Sequence, residues 1–220
     1  MDMGDIVESF TGKTAILAAG DFPRSPAARA VLDSARRVVC CDGAAAAFIR
    51  RTRRAPDAIV GDLDSLPATI RRRFADRVVR VSEQDDNDLA KAFAFCMAKG
   101  WSDIVVLGAT GGREDHTIGN IAWLADFAET APEVAMVTDS GIFTVLRAPG
   151  GTLETEPGMQ LSFFGFDMRG KITAEGVLYP VDGLELRRWH TATLNEATGE
   201  TVRLSFTGAP IVAFRATQPR

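Results

Sequence analysis

The chain has 220 residues, 46% of them hydrophobic and 25% charged. This is a globular composition, long enough for a buried core without disulfides or structural zinc. The net charge of −4 gives no general case for nucleic-acid binding, and no stretch approaches the run of about 18 apolar residues that spans a membrane. Three cysteines (Cys40, Cys41, Cys96) and two histidines (His116, His190) provide neither a complete disulfide set nor zinc-ligand spacing. The acidic start MDMGDIVESF is unlike a signal peptide, so the expectation is a reduced, soluble, cytoplasmic protein.

In chain order, the first 140 residues alternate short apolar runs with helical patterns. The runs are Lys13–Ala19, Arg37–Cys41, Ala58–Gly61, Val78–Val81, Ile104–Gly108 and Val134–Thr138. Continuous apolar character marks strands buried on both faces, as in parallel sheets. Between them, Ser25–Ser34, Ala44–Arg54, Pro67–Asp76, Asp85–Lys99 and Asp115–Thr130 have spacing suited to amphipathic helices. Repeated strand–helix–strand units predict an open, mainly parallel α/β sheet with ligands at the carboxyl ends of its strands.

The texture changes at Ala148–Gly151. Short runs at Gln160–Phe164, Lys171–Ala174, Leu184–Arg188 and Val202–Phe206, broken by Gly and Pro, predict a small β-sandwich. The expected division is therefore an α/β domain over residues 1–147 and an all-β domain over 148–220. The arginine runs Arg50–Arg54 and Arg71–Arg73 read as helix-end charges.

Aspartate carries the chemical signal. It outnumbers glutamate by 18 to 11, and eight of the 18 fall between Asp42 and Asp88. Gly12-Lys13-Thr14 looks like the end of a phosphate loop, but Val7 stands where the first glycine belongs and the segment precedes a strand. The informative segments instead follow predicted strands: Asp42-Gly43-Ala44, Gly61-Asp62-Leu63-Asp64-Ser65, Gln84-Asp85-Asp86-Asn87-Asp88 with Lys91 beyond it, and Gly108 through His116. Each has a plain structural explanation as a turn, a helix cap or a helical ion pair. Together they bring several carboxylates to one sheet edge, where they repel one another unless a cation joins them. Mg²⁺ takes one or two carboxylates plus substrate phosphates, and Asp62, Asp64 and Asp88 are the candidate ligands. Arg113, on a glycine turn near a helix start, suits a bidentate phosphate contact. The residues alone point to a Mg²⁺-dependent enzyme acting on a nucleotide or polyphosphate.

The ordered series Asp42-Gly43-Ala44, Gly61-Asp62-Leu63-Asp64-Ser65, Gln84-x-x-Asn87-Asp88-x-x-Lys91 and Gly111-Gly112-Arg113-x-Asp115-His116 resembles that of the thiamine pyrophosphokinase family. Gly176-Val177-Leu178-Tyr179-Pro180 and Asn195-Glu196 resemble its second-domain signatures. The resemblance implies a homodimer with sites between subunits, using ATP as co-substrate to convert thiamine to thiamine diphosphate and AMP. It implies that Asp62, Asp64 and Asp88 handle Mg²⁺ and polyphosphate. Asp42, Gln84, Lys91, Arg113 and Asp115 would complete the nucleotide and phosphate site, Asn195 would join the bound substrates, and Asp42 or Asp88 would act as base. Leu194 stands where the family usually has the Ser that meets the thiamine pyrimidine, and Trp189 or Phe214 is left to stack on thiamine. That departure keeps open another alcohol such as a hydroxymethyl pterin; a further alternative, a non-catalytic nucleotide or thiamine-diphosphate binding protein, is opposed by retention of Asp62, Asp64, Asp88, Lys91 and Arg113.

Overall fold

The six apolar runs form six parallel strands in a computed structural model that describes residues 3–83, 85–166 and 170–217. They are β1 (Thr14–Leu17), β2 (Arg37–Cys41), β3 (Ala58–Gly61), β4 (Val78–Arg80), β5 (Ile104–Leu107) and β6 (Ala135–Val137). Their order is β6-β5-β1-β2-β3-β4, parallel at every pairing. All residues of β1, β3, β5 and β6 are buried, which is why these runs are apolar without alternation.

The helices begin where cap residues dictate. A short α1 (Met3–Glu8) precedes the sheet. In α2 (Pro26–Ser34) the Ser25 hydroxyl accepts the Ala28 N–H at 3.2 Å, Pro26 opens the first turn, and Ala28, Val31 and Leu32 face the core. The helices α3 (Ala44–Thr52) and α4 (Ala68–Arg73) end on the predicted arginines. Arg54 has a further task, because its guanidinium donates to the carbonyls of Leu32, Asp33 and Ala35 at the end of α2. The start of α5 (Asp88–Ala98) is fixed by Asn87, so it lies three residues later than the predicted Asp85. The last helix of this part, α6 (Glu114–Thr130), packs against α5 through Phe127, whose ring stacks on Phe93 at 3.9 Å.

Eight strands follow: β7 (Gly141–Leu146), β8 (Gly150–Glu154), β9 (Gln160–Gly165), β10 (Lys171–Glu175), β11 (Val181–Glu185), β12 (Ala192–Glu196), β13 (Thr201–Phe206) and β14 (Ile211–Ala216). They pair antiparallel in the orders β12-β9-β14-β7 and β11-β10-β13-β8. In β13, Val202, Leu204 and Phe206 are buried while their neighbours are exposed, the period-two pattern of a half-covered sheet. The two sheets meet where Leu186 fills the space beside Gly165, and where Arg215 donates to the Glu154 carbonyl at 2.9 Å.

The chain divides into two units, one of Thr11–Thr138 and one of Met1–Phe10 with Asp139–Arg220. The predicted boundary at residue 148 left β7 with the α/β part. Its full-length pairing with β14 places it in the antiparallel unit. Among the described residues no helix is long and apolar enough to cross a membrane. All three cysteines are free and buried, and burial pushes the Cys96 thiol up to about 12, so these thiols are chemically quiet.

Candidate active site

The first strand lies between β2 and β5, so the sheet order reverses beside it, and the crevice of an open α/β sheet forms at such a point. A cleft of about 300 Å³ opens at the carboxyl end of β1 on its β2 side, lined by Ala18, Gly20, Phe22, Gly43, Ala47 and Ser65 among others. Its wall is stiffened beyond the strands: the Gly20 N–H donates to the Gly108 carbonyl and the Asp21 N–H to the Thr110 carbonyl, both at 2.8 Å. Lys13, from the false phosphate loop, lies before β1 and pairs with Asp103 at 3.3 Å.

Carboxylates from three successive strand ends converge. Asp42 follows β2, Asp62 follows β3, and Asp88 opens α5 after β4. One oxygen from each lies within 4.8 Å of the others. Asp42 is buried, with a left-handed φ of 35°, a conformation Asp tolerates better than most residues. Its N–H donates to the Val60 carbonyl and its Oδ2 accepts the Ser65 N–H, both at 2.9 Å, while Oδ1 is buried with no hydrogen-bond partner. Gly61 makes the approach possible: a Cβ there would lie 3.0 Å from the Asp42 Cβ and 3.1 Å from Asp88 Oδ1. The Cys41 thiol donates to the Asp88 carbonyl at 3.5 Å.

This proximity shifts the acids. Burial, then Asp62 and Asp64, push the Asp42 carboxyl above its usual 3.8, against the Ser65 hydrogen bond that lowers it. Burial and the Asp62 charge likewise raise Asp88, opposed by the buried Lys91, whose Nζ lies 3.8 Å from Asp88 Oδ1.

The remaining predicted residues divide into three groups. Asp64 is exposed on the turn after β3 and lies outside the three-carboxylate cluster; its N–H donates to Asp62 Oδ1 at 3.1 Å. Arg113 and Asp115, both exposed at the start of α6, form a two-bond fork at 3.1 and 2.5 Å. That hydrogen bond raises Arg113 and lowers Asp115 relative to their ordinary values. Asn195 belongs to the antiparallel unit, where it is buried and bound to the Tyr179 backbone: Oδ1 accepts the Tyr179 N–H at 3.1 Å and Nδ2 donates to the Tyr179 carbonyl at 2.8 Å. Gln84 lies outside the described residues. Leu194 is 67% exposed at φ 59°, and Trp189 is 52% exposed, edge-on to Phe166. Phe214 packs on Phe143.

Sequence reasoning missed Asn120 on α6. It accepts from Asn87 at 2.9 Å and donates to the Ala109 carbonyl at 2.8 Å. A buried polar residue inside an otherwise apolar helix face was the available signal.

An α/β unit with acids and cations gathered at the carboxyl ends of its strands, joined to an antiparallel β unit, defines an enzyme of the two-domain α/β class. Residues 28–136 match the thiamin pyrophosphokinase catalytic domain, and residues 141–213 the thiamin pyrophosphokinase substrate-binding domain. The chain belongs to the thiamin pyrophosphokinase family. Thiamin pyrophosphokinase 1 of Caenorhabditis elegans is 29% identical over 138 residues, covering 59% of this chain and 56% of that protein. Thiamine pyrophosphokinase 1 of Oryza sativa subsp. japonica is 28% identical over 202 residues, covering 79% of this chain and 76% of that protein. The crystal structure of thiamine pyrophosphokinase from Bacillus subtilis shares the fold, with a TM-score of 0.76 at 22% identity over 94% of this chain and 99% of that one.

Proposed function

We propose that the protein is a Mg²⁺-dependent thiamine pyrophosphokinase, transferring the pyrophosphoryl group of ATP to the hydroxyl of thiamine to give thiamine diphosphate and AMP. The observation that carries this reading, beside family membership, is the convergence of Asp42, Asp62 and Asp88 within 4.8 Å. Three carboxylate oxygens, one of them a buried Asp42 Oδ1 without a hydrogen bond, fit a hard divalent cation that binds oxygen. The geometry favours Asp42 over Asp64 as the third ligand, with Asp64 on the exposed side of the same turn. Mg²⁺ bound there supplies charge neutralisation on phosphate oxygens.

The chain's own residues perform the rest. Arg113 offers two parallel N–H donors to the transferring phosphates once it leaves Asp115. Lys91 holds a fixed positive charge beside Asp88. The thiamine hydroxyl oxygen attacks the β-phosphorus as the bond from that phosphorus to the AMP oxygen breaks in line, and AMP departs with the electron pair. The hydroxyl proton passes to a carboxylate of the cluster. Asp42 and Asp88 are the proposed acceptors, through the oxygen that does not face the cation; burial and neighbouring charge raise both only while the cluster is metal-free. The cleft beside Phe22 and Ser65 receives the uncharged part of a substrate.

The antiparallel unit supplies acceptor binding and homodimer contacts in this reading. Leu178, Tyr179, Trp189 and Leu194 are each at least half exposed, an apolar surface suited to cover by a second copy or by thiamine. The free, buried thiols fit a cytoplasmic location. An AMP-release assay with purified protein, ATP and Mg²⁺ tests the proposal. AMP formed on adding thiamine supports it. AMP formed only with a hydroxymethyl pterin transfers the chemistry to another acceptor, and thermal stabilisation by ligand without AMP refutes catalysis.

A further inference from the structure

Two of the strand-end loops are tied together by amides that the reaction itself does not use. Asn87 caps α5, its Oδ1 accepting the Ala90 N–H at 3.0 Å. Its Nδ2 is free of that duty and donates to Asn120 Oδ1 at 2.9 Å. Asn120 then donates to the carbonyl of Ala109 at 2.8 Å. Ala109 lies in the loop after β5 that leads through Gly111 and Gly112 to Arg113. Capping α5 requires only the Asn87 oxygen, and a buried site 9% exposed on α6 would accept leucine for packing alone. Both ends of the Asn120 amide are engaged, one accepting and one donating, so its orientation is fixed.

We propose that Asn120 is a positioning residue: it sets the separation between the α5 start, which carries Asp88 and Lys91, and the loop that presents Arg113. The inference rests on the pyrophosphoryl-transfer reading, in which carboxylates and guanidinium must engage one polyphosphate chain together. A misplacement of about 1 Å between such groups can lower a rate by about 100-fold. The Phe93–Phe127 stack lies further along α5 and α6 and holds the helices together independently. Removing the relay therefore loosens the catalytic ends of the helices and leaves their packing in place.

The test uses Asn120→Leu, Asn87→Ser and the double variant in the full chain. Serine keeps an oxygen that caps α5 and lacks the donor that reaches Asn120. Expected for each single variant is a fall in kcat of about 10- to 100-fold with the KM for thiamine within about two-fold. Amide exchange should quicken at residues 88–91 and 109–113 and stay unchanged in β1, β2 and β5. The double variant should lose no more than either single one, since both break one chain. A kcat within about two-fold of the parent, additive losses, or faster exchange across the whole parallel sheet overturns the proposal. Mn²⁺ binding followed by EPR separates failure of the relay from failure of the functional reading. If the parent protein releases no AMP, weakened Mn²⁺ affinity with localised exchange still supports the relay, and parental affinity and exchange overturn it.

Discussion

Replacing Asp42 by Asn should make the metal-free protein more stable and the Mg²⁺-loaded protein less so than the parent. Asp42 faces Asp62 and Asp88 with ligand oxygens within 4.8 Å. At that distance two like charges repel by about 0.9 kcal/mol in bulk water and about 3.5 kcal/mol at an effective dielectric of about 20. Asp62 and Asp88 are half-buried, which puts each pair in the lower part of that range. The partial compensation of Asp88 by Lys91 lowers the total further. A net gain of about 1–2 kcal/mol remains, equivalent to a rise in Tm of about 2–8 °C for a chain of this size. Asn suits the φ of 35° as Asp does, and its amide oxygen still accepts the Ser65 N–H, so neither the backbone nor that hydrogen bond changes. Thermal unfolding at neutral pH in EDTA and in millimolar Mg²⁺ reads the effect. The parent should gain Tm on adding Mg²⁺, D42N should not, and the two should cross. The reasoning fails if D42N melts below the parent in EDTA, or if it keeps the parent's Mg²⁺ increment.

Three further outcomes are expected. Asp42 and Asp88 have carboxyl groups raised above 3.8, so the destabilisation they cause is absent below that pH and develops as pH rises through their folded-state values. The Mg²⁺-induced rise in Tm should grow over the same window, and melts from about pH 4 to 8 that show a constant increment contradict it. Gly61→Ala places a methyl 3.0–3.2 Å from Asp42 and Asp88, so AMP release should fall by 10-fold or more with about 1–3 kcal/mol lost on denaturant unfolding; full activity refutes the close approach. Leu194→Ser, at a side chain 67% exposed, should leave stability within about 0.5 kcal/mol and lower the KM for thiamine; an unchanged KM removes Leu194 from the acceptor site.

The parallel half of the fold was legible because burial on both faces leaves an unbroken apolar run, and all six such runs became strands. The antiparallel half was read less fully. Three of its strands, β7, β8 and β12, lack an uninterrupted alternating run long enough to distinguish from a connection, and β14 is an apolar run without alternation, although Gly208 and Pro210 mark a turn before it. The register of β12 against β9 also shifts between Ala192 and Asn195, which breaks the period around Leu194. At the site, residue types after strand ends picked out Asp42, Asp62 and Asp88, the three aspartates that converge. Which three meet was hidden, since it depends on the left-handed turn at Asp42 and the missing side chain at Gly61. Asp62-x-Asp64 looks like a ligand pair in sequence. The turn after β3 gives the two carboxylates different surroundings, one half-buried in the cluster and one in solvent. Asn195 carried a family signature, and its amide is spent on the Tyr179 backbone, a demand that only the tertiary structure reveals.

The exposed fork of Arg113 on Asp115 bears on which anions the site admits. An incoming oxyanion must take the guanidinium from a carboxylate that already offers two well-aligned oxygens. Exchanging one such contact for another of equal charge gains almost nothing, so acetate or chloride has no advantage over the resident partner. A polyphosphate carries more negative charge over the same span and, in the proposed reaction, would win the exchange. In the proposed reaction the fork would set a threshold on charge density: it keeps the guanidinium extended and hydrogen-bonded to Asp115, and would yield it to a ligand whose charge exceeds that of a single carboxylate.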